Sequence, residues 1–184
     1  SAPRRLRAFS ATNAGRGLYD LTSTDARKTG EAAQGIAKAR DWFPADHPYI
    51  QALSATAAAH GPDSYPGSPM IAAHLLRDFD ALILSELHPL EFAAFDAVMK
   101  PHRAICQQRD GYQMALSQCP PTPRRGILVI DPSYEVKTDY QAMPKLIGQI
   151  HRKWGVGVIM LWYPILTDNR HRPMTKTLQA THPD

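Results

Sequence analysis

The tetrapeptide Asp131-Pro132-Ser133-Tyr134 follows directly on Gly126-Ile127-Leu128-Val129-Ile130, an apolar run of strand length. It sets a carboxylate, which accepts hydrogen bonds, beside an aromatic ring at the end of a strand. In α/β enzymes the carboxyl ends of strands are where chemistry is done. Asp and Pro are also common turn residues, so the tetrapeptide alone serves equally well as a plain turn. Its neighbours in the fold must decide.

Three other strand ends carry candidate groups. Ala14-Gly15-Arg16-Gly17-Leu18-Tyr19 holds a Gly-x-Gly turn that lets backbone approach a ligand closely, although a lone Gly-x-Gly is as often an ordinary turn. Glu86 closes the apolar run 81–86, and Asp110-Gly111 follows the short run 104–107. Parallel strands in a doubly wound sheet line one crevice with their carboxyl ends, so these separated residues converge there. A Gly-rich first loop followed by an acid at the second strand's end suits a nucleoside cofactor, because the acid accepts hydrogen bonds from ribose hydroxyls. The next Asp-Gly can meet an adenine ring, and Asp131 then faces the reacting centre.

The elements that must position them alternate. Residues 6–10 form a poor first strand. Residues 25–62 read as a helical insertion, Ala-rich and broken at Phe43-Pro44 and Asp46-His47-Pro48 into two or three helices. In Tyr65-Pro66-Gly67-Ser68-Pro69, Ser68 suits an N-cap and Pro69 the first position of a helix running to Arg77. Strands are predicted at 81–86, 104–107, 126–130 and 156–163, with helices at 89–99, 112–118 and 139–154 between them. Pro144 predicts that the regular part of the 139–154 helix starts near that residue. Residues 167–184 read as a weak helix or a loose tail. The pattern gives an α/β fold, a doubly wound Rossmann-like sheet in a single domain over 1–184 with a small helical insertion after the first strand.

Composition narrows the class. A chain of 184 residues, 43% hydrophobic and 21% charged, matches one soluble globular domain. No apolar run is long enough to cross a bilayer, and no secretory pattern opens the sequence, so the expected compartment is the cytoplasm. Cys106 and Cys119, the two cysteines, lack metal-ligand spacing and read as ordinary thiols. No metal is expected. A net charge of +4 is compatible with a polyanionic partner. Taken singly, Glu86 is a solvated strand-end acid, His88 is structural, and Arg124-Arg125 is a solvated pair before a buried strand. Trp42, Trp154 and Trp162 read as core or interface anchors, and Tyr134 as the aromatic placed to stack on a base.

Asp131-Pro132-Ser133-Tyr134 resembles the Asp-Pro-Pro-Tyr signature of amino-group methyltransferases. The chain as a whole resembles the bacterial 23S ribosomal RNA adenine-N6 methyltransferases. The resemblance rests on Ala14-Gly15-Arg16-Gly17-Leu18-Tyr19, Lys28-Thr29-Gly30-Glu31, Tyr65-Pro66-Gly67-Ser68-Pro69, Glu86-Leu87-His88-Pro89 and Asp110-Gly111-Tyr112. It continues through Arg124-Arg125-Gly126, Asp131-Pro132-Ser133-Tyr134-Glu135 with Lys137-Thr138-Asp139-Tyr140, and Leu161-Trp162-Tyr163-Pro164. Together these stretches run in order along nearly the whole chain, and Tyr-Pro-Gly-Ser-Pro with Glu-Leu-His-Pro is distinctive. The resemblance implies a Rossmann-like methyltransferase sheet and S-adenosyl-L-methionine as cofactor. It implies that Ser68, Glu86, Asp110, Gly111 and Asp131 contact the cofactor, beside Asn13, Gly15 and Gly17 in the first loop. Asp131, Pro132 and Tyr134 would carry the chemistry. The acid and the Pro132 carbonyl would accept the amine hydrogens of the target adenine, with the tyrosine stacked on the base.

Departures from the family pattern accompany the matches. Asn13 replaces a histidine that touches the cofactor, and Ala11 stands where the first strand's acid is found. Ser133 replaces the second proline. The family pattern begins earlier and continues beyond the fifth strand, so the chain is expected to be a truncated or diverged member, with an uncovered strand edge that favours self-association. The expected partner is 23S rRNA, unfolded or single-stranded, because the target base must leave its stack. A noncatalytic RNA-binding remnant and a DNA adenine-N6 methyltransferase are the two alternatives.

Overall fold

The computed structural model describes residues 7–24, 35–135 and 138–182. Lys28-Thr29-Gly30-Glu31, the stretch 25–34 of the helical insertion, and Lys137 lie outside the described residues. In chain order the elements are β1 (Ala8–Ala11), β2 (Leu18–Asp20), α1 (Ile36–Ala39), α2 (Pro48–His60), β3 (Ser64–Pro66), α3 (Ser68–Leu75), β4 (Ala81–Glu86) and α4 (Pro89–Met99). They continue with β5 (Ile105–Gln108), α5 (Gly111–Gln118), β6 (Gly126–Ile130), α6 (Asp139–Lys153), β7 (Val158–Leu161) and α7 (Arg172–Thr181).

Five of the strands form a parallel sheet in the order β5-β4-β1-β6-β7. β1 lies at the centre, with Ala8 opposite Ala81 of β4 on one side and Gly126 of β6 on the other. Gly126 is required there, since a Cβ on it would lie 2.7 Å from the Ala8 carbonyl oxygen. The chain runs outward from β1 through β4 to β5, then returns to β6 and continues to β7. The strand order therefore reverses between β1 and β6, which is where ligand crevices open in such sheets.

Helices cover both faces, so the central strands are buried without alternation, as β4 shows from Leu82 to Glu86. On one face Leu82, Leu84 and Ala11 pack with Ala72 of α3 and with Phe95 and Met99 of α4. On the other, Leu128 and Ile130 pack under Met143, Ile147 and Ile150 of α6, with Ala115 of α5 and Met174 of α7. Trp154, which closes α6, is fully buried and donates its indole N–H to the Arg124 carbonyl at 3.2 Å. The indole lies flat over Gly157, where a Cβ would stand 2.2 Å from the ring.

The structure corrects several sequence expectations. α6 is regular from Asp139, with Pro144 inside it. Pro144 costs about 3 kcal/mol in a helix interior, but starting the helix earlier seats Tyr140 and Met143 in the core, each contributing about 1.5–3 kcal/mol. Burial of this first turn works against the cost of the proline. The N-cap of α3 is Gly67, and Ser68 is its exposed first residue with no side-chain capping bond. β3 pairs antiparallel with β2 across the base of the insertion, a pairing the three-residue strands do not announce. The described part of the insertion holds α1, a turn of 3-10 helix at Arg40–Trp42, and α2. The 167–184 stretch contains a defined helix, α7, anchored by the buried Met174. Of the three tryptophans, read as core or interface anchors, Trp154 lies in the core, while Trp42 is 75% exposed and Trp162 is 55% exposed.

Candidate active site at the carboxyl edge of the sheet

The loop after β1 is built from backbone geometry. Asn13, Gly15 and Gly17 all have positive φ, at 52°, 64° and 76°. Asn is among the few side chains that tolerate this region, and the two glycines carry no Cβ penalty. Thr12, buried at the turn, donates its N–H to Val129 of β6 at 3.0 Å, and Ala14 donates to Ser85 of β4 at 2.9 Å. The loop is thus laced to both neighbouring strands. Arg16 grips Glu91 at the start of α4 with bonds of 3.0 and 2.6 Å, and this guanidinium holds the Glu91 carboxyl below its ordinary range. Gly67 donates to the Gly17 carbonyl at 2.7 Å, so Ser68 sits beside this loop at the head of α3.

Glu86, at the end of β4, is buried, and each of its oxygens takes part in the architecture. One carboxylate oxygen accepts the Gly15 N–H at 2.9 Å and the other accepts the His88 N–H at 2.9 Å. Asp110 follows β5 and caps α5, accepting the Gln113 N–H at 2.8 Å. Gly111 packs directly on the first loop: a Cβ there would lie 2.6 Å from Thr12 Cβ and 2.9 Å from Asn13 Oδ1. Asn13, Gly15, Glu86, Asp110 and Gly111 therefore form one connected wall.

The opposite wall is the Asp131–Tyr134 loop. Its backbone is pinned at the start, where Asp131 N–H donates to Thr12 Oγ1 at 3.3 Å. The Asp131 carboxylate is half-buried and accepts no hydrogen bond among the described residues, and burial alone pushes its pKa up. Pro132 is buried and Ser133 exposed. Tyr134 turns the chain with φ 54° and is 5% exposed. Its hydroxyl donates to the Trp162 carbonyl at 2.9 Å, and its ring packs on Tyr140 at 4.4 Å between centroids. The open stacking face expected of Tyr134 is therefore taken up by the protein. The left-handed turn at Tyr134 accompanies this packing of the ring on Tyr140 of α6. Trp162, after β7, is an exposed aromatic at the same edge of the sheet.

The structure thus brings Asn13, Gly15, Glu86, Asp110, Gly111 and Asp131 to one edge of the sheet, with Gly17 and Ser68 packed beside it. Chemically the edge offers carboxylates, with the Arg16 guanidinium of the first loop paired to Glu91. One of these carboxylates, that of Asp131, is desolvated and unpartnered among the described residues, a combination that suits a cationic ligand and an amine donor. Thr12 was missed, since a threonine after a strand carries no signal until its hydroxyl is seen holding Asp131. Among the described residues no group of His, Cys, Asp or Glu is arranged to hold a metal ion, and no helix is long and apolar enough to cross a membrane.

Comparison with known proteins identifies the family. Residues 6–183 match the family model described as Ribosomal RNA large subunit methyltransferase D, RlmJ. Two curated relatives, both named Ribosomal RNA large subunit methyltransferase J, are 39% identical over 174 residues in Escherichia coli and 34% identical over 179 residues in Haemophilus influenzae. Each alignment covers 92% of this chain, which spans 62% of the length of each relative. A crystal structure of protein LPL1258 from Legionella pneumophila superposes with a TM-score of 0.81 at 28% identity, covering 96% of this chain and 67% of that one. With nearly its whole length matched, the chain belongs to the RlmJ family of ribosomal RNA large subunit methyltransferases.

Proposed function

We propose that this chain carries the methyl-transfer site of an S-adenosyl-L-methionine-dependent enzyme that methylates N6 of an adenine in 23S rRNA. The observation that carries the reading is the Asp131 carboxylate, desolvated and without a partner among the described residues, at the switch point of the sheet. An uncompensated carboxylate fits a sulfonium cation nearby and an amine in contact. Glu86 would hold the ribose hydroxyls, because two of a carboxylate's roughly four acceptor sites remain after its two backbone bonds. Asp110 and Gly111 would border the adenine of the cofactor, with Asn13, Gly15, Gly17 and Ser68 shaping the loop side.

Adenine N6 is a weak nucleophile because its lone pair is delocalised into the ring. Asp131 and the Pro132 carbonyl would accept its two hydrogens and favour a tetrahedral nitrogen whose lone pair points away from the ring. When bound, S-adenosyl-L-methionine supplies an electrophilic methyl group. As positive charge grows on N6, the Asp131 carboxylate stabilises it, and the surplus proton then leaves to solvent. Orientation and fixed electrostatics carry the step. Thr12 fixes the loop through the Asp131 N–H, and Tyr134 fixes it through the Trp162 carbonyl, so both act as positioning residues.

The substrate would be single-stranded or locally unfolded rRNA, in the cytoplasm, because the base must be unstacked to reach Asp131. Calorimetry with S-adenosyl-L-methionine, followed by methyl transfer to 23S rRNA lacking the modification, tests the reading. Absence of cofactor binding would leave a noncatalytic RNA-binding protein, and transfer to single-stranded DNA in preference to RNA would move the substrate class. The edge strand β7 exposes Val158 and Met160. Light scattering should therefore show concentration-dependent self-association, since an uncovered apolar edge pairs with other chains.

A further inference from the structure

A cavity of about 630 Å³ opens between the first turns of α6 and α7. Both helices follow strands of the sheet, β6 and β7, so the cavity lies at the same carboxyl edge as Asp131. On the α6 side it is lined by Tyr140, Gln141 and Lys145, and on the α7 side by Arg170, Met174 and Thr177. Tyr140 and Met174 are buried and give it an aromatic and apolar floor, while Lys145 and Arg170 bring positive charge to its lining. Arg170 is oriented by an ion pair with Asp168, which also lines the space.

Two observations connect this cavity to the reaction. The Tyr140 ring packs on Tyr134, in the loop that carries Asp131, so a single aromatic layer separates cavity and loop. The Tyr140 hydroxyl is buried and has no hydrogen-bond partner among the described residues. Buried polar groups are nearly always satisfied, and an orphan beside a cavity points to a partner that arrives from outside. The volume lies in the range of about 300–1,000 Å³ for small-ligand sites and accommodates one nucleotide. Cations suit a phosphate, and an apolar floor with one hydrogen-bonding group suits a base.

We propose that this cavity is a second RNA subsite, which takes a nucleotide flanking the target adenine on a single strand. The proposal rests on the reading of Asp131 as the methyl-transfer centre and extends it to how the substrate is chosen. Base contact at the floor and phosphate contact at the cations make the site a specificity determinant for the sequence next to the target.

Two variants test it without touching the Asp131 wall. Thr177→Trp fills the cavity from an exposed helical position, and Lys145→Glu reverses charge at its edge. Each is compared with wild type by fluorescence anisotropy on a short single-stranded RNA with one central adenine, by calorimetry with S-adenosyl-L-methionine, and by methyl-transfer kinetics. The expected result is RNA affinity reduced by about 5- to 150-fold, the range for losing one stacked base. Cofactor affinity stays unchanged, and KM for RNA rises while kcat holds. RNA carrying 4-thiouridine next to the adenine should crosslink to the peptides around Tyr140 and Met174. Unchanged RNA affinity in both folded variants, or crosslinks confined to other peptides, overturns the subsite. Failure of wild type to bind S-adenosyl-L-methionine, with RNA binding still sensitive to the variants, would sink the methyltransferase reading and keep the subsite. No RNA binding by wild type sinks the subsite outright.

Discussion

Glu86 and Asp131 are carboxylates at the ends of parallel strands on either side of β1, and their surroundings are opposite. Glu86 has both oxygens occupied by backbone N–H groups, from Gly15 and His88, and stitches the first loop to the start of α4. Asp131 contributes its backbone N–H to the scaffold and leaves its carboxylate unpartnered in a half-buried setting. The first wall of the crevice is wired for rigidity, and the second holds an unspent charge. A residue of either wall can be removed, and the two walls should fail differently: the first by losing structure, the second by losing chemistry.

Glu86→Ala is the largest expected effect. It removes two hydrogen bonds to a buried carboxylate, each worth about 1.5–3 kcal/mol, and leaves two N–H groups unsatisfied. Unfolding in urea should show a loss of about 3–5 kcal/mol, together with weaker cofactor binding. A variant of unchanged stability would show that the wiring of the first wall is incidental.

Asp131→Asn comes next and inverts the pattern. Methyl transfer should fall by at least about 100-fold, the scale for deleting one preorganised electrostatic contact in an active site. Stability should hold or rise, because the lost group is a desolvated charge while the Asp131 N–H bond to Thr12 is a backbone bond that the substitution keeps. Burial raises the folded-state pKa of Asp131, so the folded protein binds this proton more tightly than the unfolded chain does. The group's contribution to stability is thus present at low pH and is lost as pH rises through its folded pKa, so Asp131→Asn should gain over wild type toward neutral pH. On the proposed role for Asp131, transfer by wild type should fall on the acid side above the ordinary carboxylate value of about 4. A pH–rate profile with its acid limb at or below that value would remove desolvation from the account.

Much of this edge was readable in the sequence because strand ends announce themselves. The runs 81–86 and 126–130 are apolar and stop at an acid, and both strands appear at those residues with Glu86 and Asp131 at the crevice. What stayed hidden was set by contacts across the fold. No local signal places Thr12 against Asp131, tells that the Glu86 oxygens are taken, or turns Tyr134 under α6 through a positive φ. Pro144 misled because local propensity does not register the burial of Tyr140 and Met143 that opposes it. The three-residue strands β2 and β3 were too short for any periodicity to register.

Gly111→Ala probes the seam between the walls. The added Cβ would meet Thr12 Cβ at 2.6 Å, and Thr12 is the residue whose hydroxyl holds the Asp131 loop. Forcing a methyl into this packing should cost about 1–3 kcal/mol of stability. Because the strain falls on Thr12, the rate should drop along with stability, with cofactor binding also weakened. An alanine tolerated in both stability and rate would separate the two walls and make the seam irrelevant.

Ser133→Pro carries the smallest expected effect and sharpens the comparison from the catalytic side. Ser133 is exposed, and its N–H makes no hydrogen bond among the described residues, so a proline there removes no protein contact. Where a proline fits the native backbone it stabilises by about 0.4–1 kcal/mol, chiefly by narrowing the unfolded ensemble. The same restriction acts within the folded loop, between Pro132, whose carbonyl would face the amine, and Tyr134, already fixed by the Trp162 carbonyl. If the second wall works by presenting a preorganised carboxylate and carbonyl, stiffening the residue between its two anchors should raise kcat while leaving the affinity for S-adenosyl-L-methionine unchanged. A gain in thermal midpoint without a gain in kcat would show that Tyr134 and Thr12 already hold the loop as firmly as the reaction needs, and that the serine at this position costs the protein only stability.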